Sequence, residues 1–581
     1  MTKIVPSPAQ AAQRAHLDTV LERLAAKKSS WVATPIAERM ALLRAVRANL
    51  ARHADRWIAV TLEAKGEGAQ SSAAGEEWSA GPWAVLTAID VLLRTLGRIA
   101  PGTVIQGLAA RTTRTGQAAV RVFPLTVVDR LLLSGVSAEI WMAPGVTIDG
   151  LPATVATAYA GRWASEPGRV SLVLGAGNVS SIAPLDALHK LYAEHSVALV
   201  KLNPVNAYLR PVLEDVFAPF VEAGFMAFVE GDADVGAYLT THRAVDTLHI
   251  TGSGASHDAI VFGPGEAGAL RKARNAPINA RPITSELGAV CPTIVVPGHW
   301  TDADLRFQAE HVATQKLHNG GFNCVASQVL VLPRAWPQAD AFLAEVRRAL
   351  AAAPARSASY PGTADRLRRF EHDNPGAVCV TPGAADPRWL VMLDAEALPS
   401  PPAFETEVFG PALAVVFLPG VSAPAYLEAA VAFANQRLHG TLGANLIIDP
   451  ATEKRLGGRF ETLIGALRYG TIGINAWTGL GFLLAHAPWG AFPGHRLNDI
   501  QSGRGSVHNA LMFDRPQRAM VRAPFRPFPR GLRHGALAML PKPPWFVANR
   551  TAATTARRLV RFQLKPSLGG LLAVLASALR G

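Results

Sequence analysis

Between residues 169 and 254 the chain alternates short apolar runs with longer amphipathic ones, and this alternation constrains the fold more than any other feature. Residues 170–174, 197–202, 225–230 and 247–251 read as strands, and 182–195, 209–223 and 235–241 as helices. Strand–helix–strand repetition predicts a parallel sheet with helices on its faces, and places ligands outside the carboxyl ends of its strands. Three short motifs fall at those ends: Gly175-Ala176-Gly177-Asn178, Lys201-Leu202-Asn203-Pro204 and Thr251-Gly252-Ser253. The fold class is therefore α/β with a Rossmann-type parallel sheet.

The rest of the chain is arranged around that core. Residues 19–24, 37–50 and 83–96 look helical, while 118–124 and 139–142 look like strands of a projecting ribbon. A second α/β unit runs from about Val290 to Ile474 and includes a helix over 342–352. Residues 354–375 are rich in Pro, Arg and Ala and read as a surface excursion.

Composition excludes several classes. With 581 residues, 49% of them hydrophobic, the chain is long enough for more than one buried core. Cys291, Cys324 and Cys379 contain no Cys-x-x-Cys pair, so neither a disulfide framework nor a zinc site is indicated, and a reducing cytoplasm is the expected compartment. Asp18, Glu22 and Arg23 interrupt the N-terminal segment where an export signal would need an apolar run. No phosphate loop of the Gly-x-x-x-x-Gly-Lys type and no RNA-binding motif is present. The net charge is +13, but the 13 Lys and Arg from Arg515 to Gly581 face no Asp or Glu there, so the preceding body is formally neutral. An anionic partner is to be sought at that segment, and nucleic acid is not expected. Its Arg557, Arg558, Arg561 and Lys565 precede an apolar run over 568–579, too short to span a bilayer yet suited to lie on an anionic membrane surface or to fold back on the body.

The chemistry centres on Cys324, in Gly320-Gly321-Phe322-Asn323-Cys324-Val325-Ala326. A cysteine taken alone is more often a small buried hydrophobe than a nucleophile. Here two glycines allow close backbone approach, and Glu286 in Ser285-Glu286-Leu287-Gly288 is a candidate base for a thiol whose ordinary pKa is about 8.5. Glu407 follows in Glu407-Val408-Phe409-Gly410-Pro411. Taken singly, Asn178 reads as a turn residue, Glu286 as a cap or ion-pair partner, Lys201 as a solvated strand end and Glu407 as the acid of a structural loop.

As an ordered set, these residues resemble the aldehyde dehydrogenase superfamily over about residues 170–507. Gly470-Thr471-Ile472-Gly473-Ile474-Asn475, Pro488-Trp489-Gly490-Ala491-Phe492 and Ser502-Gly503-Arg504 extend the resemblance. It implies an NAD- or NADP-dependent enzyme without a metal, in which Cys324 attacks an aldehyde. The Asn178 amide and the Cys324 N–H then hold the oxyanion, and Glu286 activates the water that cleaves the thioester. Lys201, Gly252, Ser253, Glu407 and Phe409 would bind the cofactor, with Glu407 on the nicotinamide ribose. The implied domains are 1–117 with 149–289 for the cofactor, 290–490 for catalysis, 118–148 with 491–514 as an oligomerisation ribbon, and 515–581 as a basic extension. The ribbon near residues 118–142 and a late strand near 506–513 resemble the family's oligomerisation elements, so a homo-oligomer, dimer or tetramer, is the expected state.

Three positions depart from the family pattern. Gly177 replaces a tryptophan, His257 stands in place of a glycine near the pyrophosphate helix, and Pro204 replaces a glutamate whose absence leaves NADP admissible. Two other functions compete with aldehyde oxidation. One is an acyl-CoA or acyl-thioester reductase, which would commonly lack a base at Glu286. The other is a catalytically silent scaffold presenting the basic segment.

Overall fold

The computed structural model describes residues 7–161, 163–398, 400–534 and 538–581. One sheet has six strands in the order Gly503–Arg504, Ile283–Leu287, Thr247–Gly252, Arg169–Leu174, Ser196–Lys201, Met226–Val229. All its neighbours are parallel except the first pair. Strand Ser196–Lys201 is buried along its whole length, as a parallel strand covered on both faces must be. The long helix Pro8–Ala33 lies on this sheet while Ile36–Lys65 packs on the neighbouring helices, and the fully buried Trp31 donates its indole N–H to the Leu191 carbonyl at 3.0 Å.

The helix expected over 209–223 is broken into a 3-10 turn Pro204–Leu209 and two short helices, Arg210–Val216 and Ala218–Ala223. Pro211 and Pro219 sit at the second position of each short helix, where a missing N–H costs nothing, so each begins a new helix rather than continuing the last.

The second sheet has eleven strands, in the order Ala110–Thr112, Ala118–Phe123, Ser137–Met142, Pro516–Arg522, Thr471–Ile474, Gly443–Ile447, Cys291–Val295, Ser327–Pro333, Ala412–Leu418, Trp389–Leu393, Val378–Cys379. From Pro516–Arg522 to Trp389–Leu393 every neighbour is parallel. The ribbon joins this sheet through an antiparallel pairing of Ser137–Met142 with Pro516–Arg522. The strand that receives the ribbon thus lies after residue 514, within the segment expected to be a separate extension. Residues 506–513, expected as a late strand, do not form one. His508 and Met512 hold positive φ, and Asn509 exchanges hydrogen bonds with Phe513 across a tight loop.

The segment beyond residue 522 packs on the body instead of leaving it. Arg526 and Arg530 both grip the buried carboxylate of Asp304, Lys542 pairs with Glu310 at 2.9 Å, and Phe546 stacks on Phe307 and His311. Helix Ala552–Leu564 lies on helix Ser72–Trp78, with Arg557 and Arg561 reaching Asp55. Helix Leu568–Ala578 folds back against Ala552–Leu564. Much of the basic excess is therefore matched by carboxylates of the body.

Candidate active site

Helix Asp302–Leu317 ends in a turn where Asn319, Gly320 and Gly321 take successive positive φ angles of 53°, 65° and 82°. Two of these positions need glycine for that conformation, and a Cβ on Gly321 would fall 2.8 Å from the Gly410 carbonyl. The turn delivers Cys324 just before strand Ser327–Pro333. The thiol faces Glu286, and burial, followed by the charges of Glu286 and Glu407, pushes its pKa well above the ordinary value.

Glu286 sits on the buried strand Ile283–Leu287, between Gly503–Arg504 and Thr247–Gly252. Cys324 and the Trp489 indole stand against its carboxylate, and its Oε1 is buried with no protein partner. Burial pushes this carboxyl up to about 7, and the negative charge of Asp186 adds to the effect. Asp186 itself lies 3.3 Å from ring nitrogens of His249 and His508 and accepts from Thr251 at 2.9 Å. Burial alone would raise its pKa, but the two histidines hold it below the usual carboxylate range.

Asn178 donates one of its two side-chain N–H groups to the Phe322 carbonyl at 2.9 Å, which fixes the carboxamide beside the Cys324 loop. Glu407 packs so closely on Gly288 that a Cβ there would lie 1.7 Å from its Oε2. Its Oε1 is buried without a partner, and burial lifts the carboxyl despite the nearby Lys316 and Arg366. Phe409, at φ 49°, packs edge-on against Tyr360 with centroids 4.9 Å apart, and its carbonyl accepts from Arg366.

Lys201, Gly252 and Ser253 lie at the carboxyl ends of strands in the first sheet. Lys201 is buried, which lowers its pKa while Asp232 opposes the shift. Ser253 caps helix Gly254–Phe262 by accepting from the Ser256 N–H at 3.1 Å, and a Cβ on Gly254 would meet nothing within 4 Å. An open helix start with free N–H groups suits a pyrophosphate, and the unpartnered Glu407 oxygen suits a ribose hydroxyl, so the residues fit a dinucleotide. His257 is fully buried within this helix rather than exposed at its start. At Gly177, the Asn203 carboxamide lies 2.8 Å from where a Cβ would be, and so occupies the space that a larger residue would need.

Cys324, Glu286 and Asn178 open onto a common pocket. Val179, Ile182, Trp477, Phe482, Leu483 and Trp489 form its apolar walls, and Lys65, Glu76, Glu77, His318 and Asn319 line another side. The charges there are mutually matched: Lys65 with Glu77 at 2.6 Å, and Arg356 with Glu76. Burial lowers the His318 pKa to about 3, which leaves its ring neutral against Trp477.

Sequence reasoning missed this charged wall, because no motif marks it. It also missed Asp186 with its two histidines, Asp232 beside Lys201, and Lys316 near Glu407. Tyr360 and Arg366 lie in the stretch read as a surface excursion, yet they hold the Glu407–Phe409 loop. The Pro-rich composition hid helix Thr363–Asp373, which carries Arg366.

Residues 206–364 match the model of the aldehyde dehydrogenase family. No curated protein matches in sequence. Aldehyde dehydrogenase C of Pseudomonas syringae, solved with NAD+ and octanal, is similar at a TM-score of 0.58 and 17% identity, over 88% of this chain and 90% of that one. A Mycobacterium tuberculosis aldehyde dehydrogenase solved with NAD+ gives 0.57 at 18% identity, over 88% and 90%. The NADP-dependent glyceraldehyde-3-phosphate dehydrogenase of Bacillus halodurans, solved with NADP, gives 0.57 at 17% identity, over 87% and 91%. At such identities the likeness is one of fold.

Proposed function

We propose that this chain, whose residues 206–364 match the aldehyde dehydrogenase family, oxidises a hydrophobic aldehyde to the carboxylic acid with NAD or NADP. The observation that carries this reading is the Glu286 carboxylate, buried against Cys324 with one oxygen free of protein partners. Cys324 attacks the carbonyl carbon and its thiol proton passes to Glu286, giving a thiohemiacetal. The Asn178 amide and the Cys324 N–H hold the oxyanion, where one such donor is typically worth about 3–4 kcal/mol of barrier. A bound nicotinamide supplies the hydride acceptor, with Lys201, Gly252, Ser253, Glu407 and Phe409 as the residues that would hold the cofactor. Once Glu286 has released the thiol proton to solvent, it takes a proton from the water that attacks the thioester, returns it to the departing Cys324 sulfur, and the acid leaves. A base at this position disfavours the acylating and reductase readings, which need the thioester kept from water, and an intact nucleophile, base and amide disfavour a silent scaffold.

The substrate class follows from the walls. Their charges are already paired and the remaining surface is apolar, so an alkyl chain suits the pocket better than an ionic substrate. Octanal bound to the Pseudomonas syringae relative is consistent with that preference. Three free thiols suit a reducing cytoplasm. The exposed outer ribbon strand Ala110–Thr112 offers an edge through which a homo-oligomer could form. Leu568, Leu572 and Leu579, exposed at 74%, 58% and 51%, lie along helix Leu568–Ala578 and its end, with exposed Arg558, Lys565 and Arg580 nearby. Such a stripe supports peripheral contact with an anionic bilayer. Among the described residues no helix is long and apolar enough to cross a membrane.

The test uses straight-chain aldehydes of graded length with each cofactor. Cys324→Ala abolishes turnover, whereas Glu286→Gln slows acylation and leaves the acyl group that does form on Cys324 unhydrolysed, to be released by hydroxylamine. Full steady-state rates in both variants would sink the assignment.

A further inference from the structure

Lys65 is the last residue of helix Ile36–Lys65, where a cation ordinarily faces water and the helix carbonyls. Here only 14% of its side chain is exposed, and its three donors are all engaged. Its Nζ donates to Glu77 Oε1 at 2.6 Å, to Asn319 Oδ1 at 3.0 Å and to the carbonyl of Asn178 at 3.2 Å. Asn319 completes the tie, donating through Nδ2 to the same Asn178 carbonyl at 3.0 Å and to Phe322 at 3.2 Å. The Asn319 backbone N–H meets Glu76 at 2.7 Å, and Arg356 closes on the other Glu76 oxygen. The peptide that carries the oxyanion amide and the turn that carries the nucleophile are thus joined through one buried cation.

Glu76 and Glu77, which anchor that tie, are neighbours on helix Ser72–Trp78. Another side of this short helix is covered by the C-terminal helix Ala552–Leu564. The approach is so close that a Cβ on Gly75 would lie 2.6 Å from Ala552. The Arg557 guanidinium lies 6.0 Å from the Trp78 ring centroid. Ser72–Trp78 is the first stretch of a helix that runs on through the π turn Ser79–Trp83 into Ala84–Ile99, and as the end of that long helix it relies on packing against Ala552–Leu564 to stay in place.

We infer that Lys65 is a positioning residue for the oxyanion pocket and that the C-terminal helix Ala552–Leu564 holds it in place by clamping helix Ser72–Trp78. The inference rests on the proposed aldehyde reaction. It gives the C-terminal segment a part in the chemistry without placing any of its residues in contact with substrate. The terminal helix acts on Glu76 and Glu77, these on Lys65 and Asn319, and those on Asn178 and the Cys324 turn.

The test is the pre-steady-state burst of reduced cofactor after the full-length holoenzyme is mixed with a straight-chain C8 aldehyde. Lys65→Met alone would leave Glu77 buried and unpaired, so the informative variant is Lys65→Met with Glu77→Leu, which removes both charges. Its burst should slow by roughly 100-fold, the loss expected when a reacting group is misplaced by about 1 Å. Cofactor affinity, read by fluorescence titration, and the thermal unfolding midpoint should stay at the wild-type values. Lys65→Arg, which keeps a donor, should recover most of the rate, and Gly75→Leu, which wedges the two helices apart, should slow the burst in the same way. An unchanged burst in the double variant overturns the inference. So does a slowed burst accompanied by an equal loss of cofactor affinity and thermal stability, since that is the mark of a merely structural pair. Absence of a burst in the wild type with aldehydes overturns the underlying reaction instead.

Discussion

At the scale of single residues, the site combines a thiol that resists ionisation with a carboxyl that resists it too. Burial pushes Glu286 up to about 7, so its basic form is gained as pH rises through that value and lost below it. The expected consequence is a kcat/KM that climbs about tenfold per pH unit below 7 and levels above it, since one protonation then limits the active fraction. Glu286→Gln should flatten that limb, and an unaltered profile in the variant would assign the titration to another group. Cys324, Glu286, Asn178, Glu407 and Phe409 were legible in the sequence as an ordered set of motifs, since Asn178, Glu286 and Glu407 taken one at a time read as structural residues. Lys65 was not legible, since its meaning comes from Asn319, 254 residues away, and no local pattern announces a buried cation at a helix end.

At the scale of elements, the strand–helix alternation was readable because period and length agree over the six-stranded sheet. The errors fell where local chemistry overrides period: prolines dividing 209–223, and positive φ at His508 and Met512 abolishing a strand. The turn after strand Ser196–Lys201 carries Pro204 where an acid would repel a 2′-phosphate. NADP should therefore be used at a kcat/KM within about tenfold of NAD, a difference of ~1.4 kcal/mol. Pro204→Glu should lower the NADP rate selectively, and a cofactor ratio unmoved by this change would show that the position does not meet the ribose.

At the scale of the whole molecule, a charge surplus that reads as a free basic segment becomes a strap, with Arg526 and Arg530 on Asp304 and Arg557 on Asp55. The cations beside the leucine stripe of helix Leu568–Ala578 set its remaining prediction. Full-length protein should sediment with vesicles containing phosphatidylserine at low salt and be released by high salt, and Leu568→Ser with Leu572→Ser should abolish the binding. Binding unaffected by these substitutions would place the contact elsewhere.

Strand Pro516–Arg522 has a further consequence, because it lies between Ser137–Met142 and Thr471–Ile474. During synthesis both of those strands leave the ribosome before their shared neighbour exists. Two apolar edges must therefore wait, unpaired, until residues 516–522 are made. Premature termination before residue 516 should yield a product that aggregates rather than a smaller active enzyme, and the late closure of so distant a pairing sets a slow step in maturation.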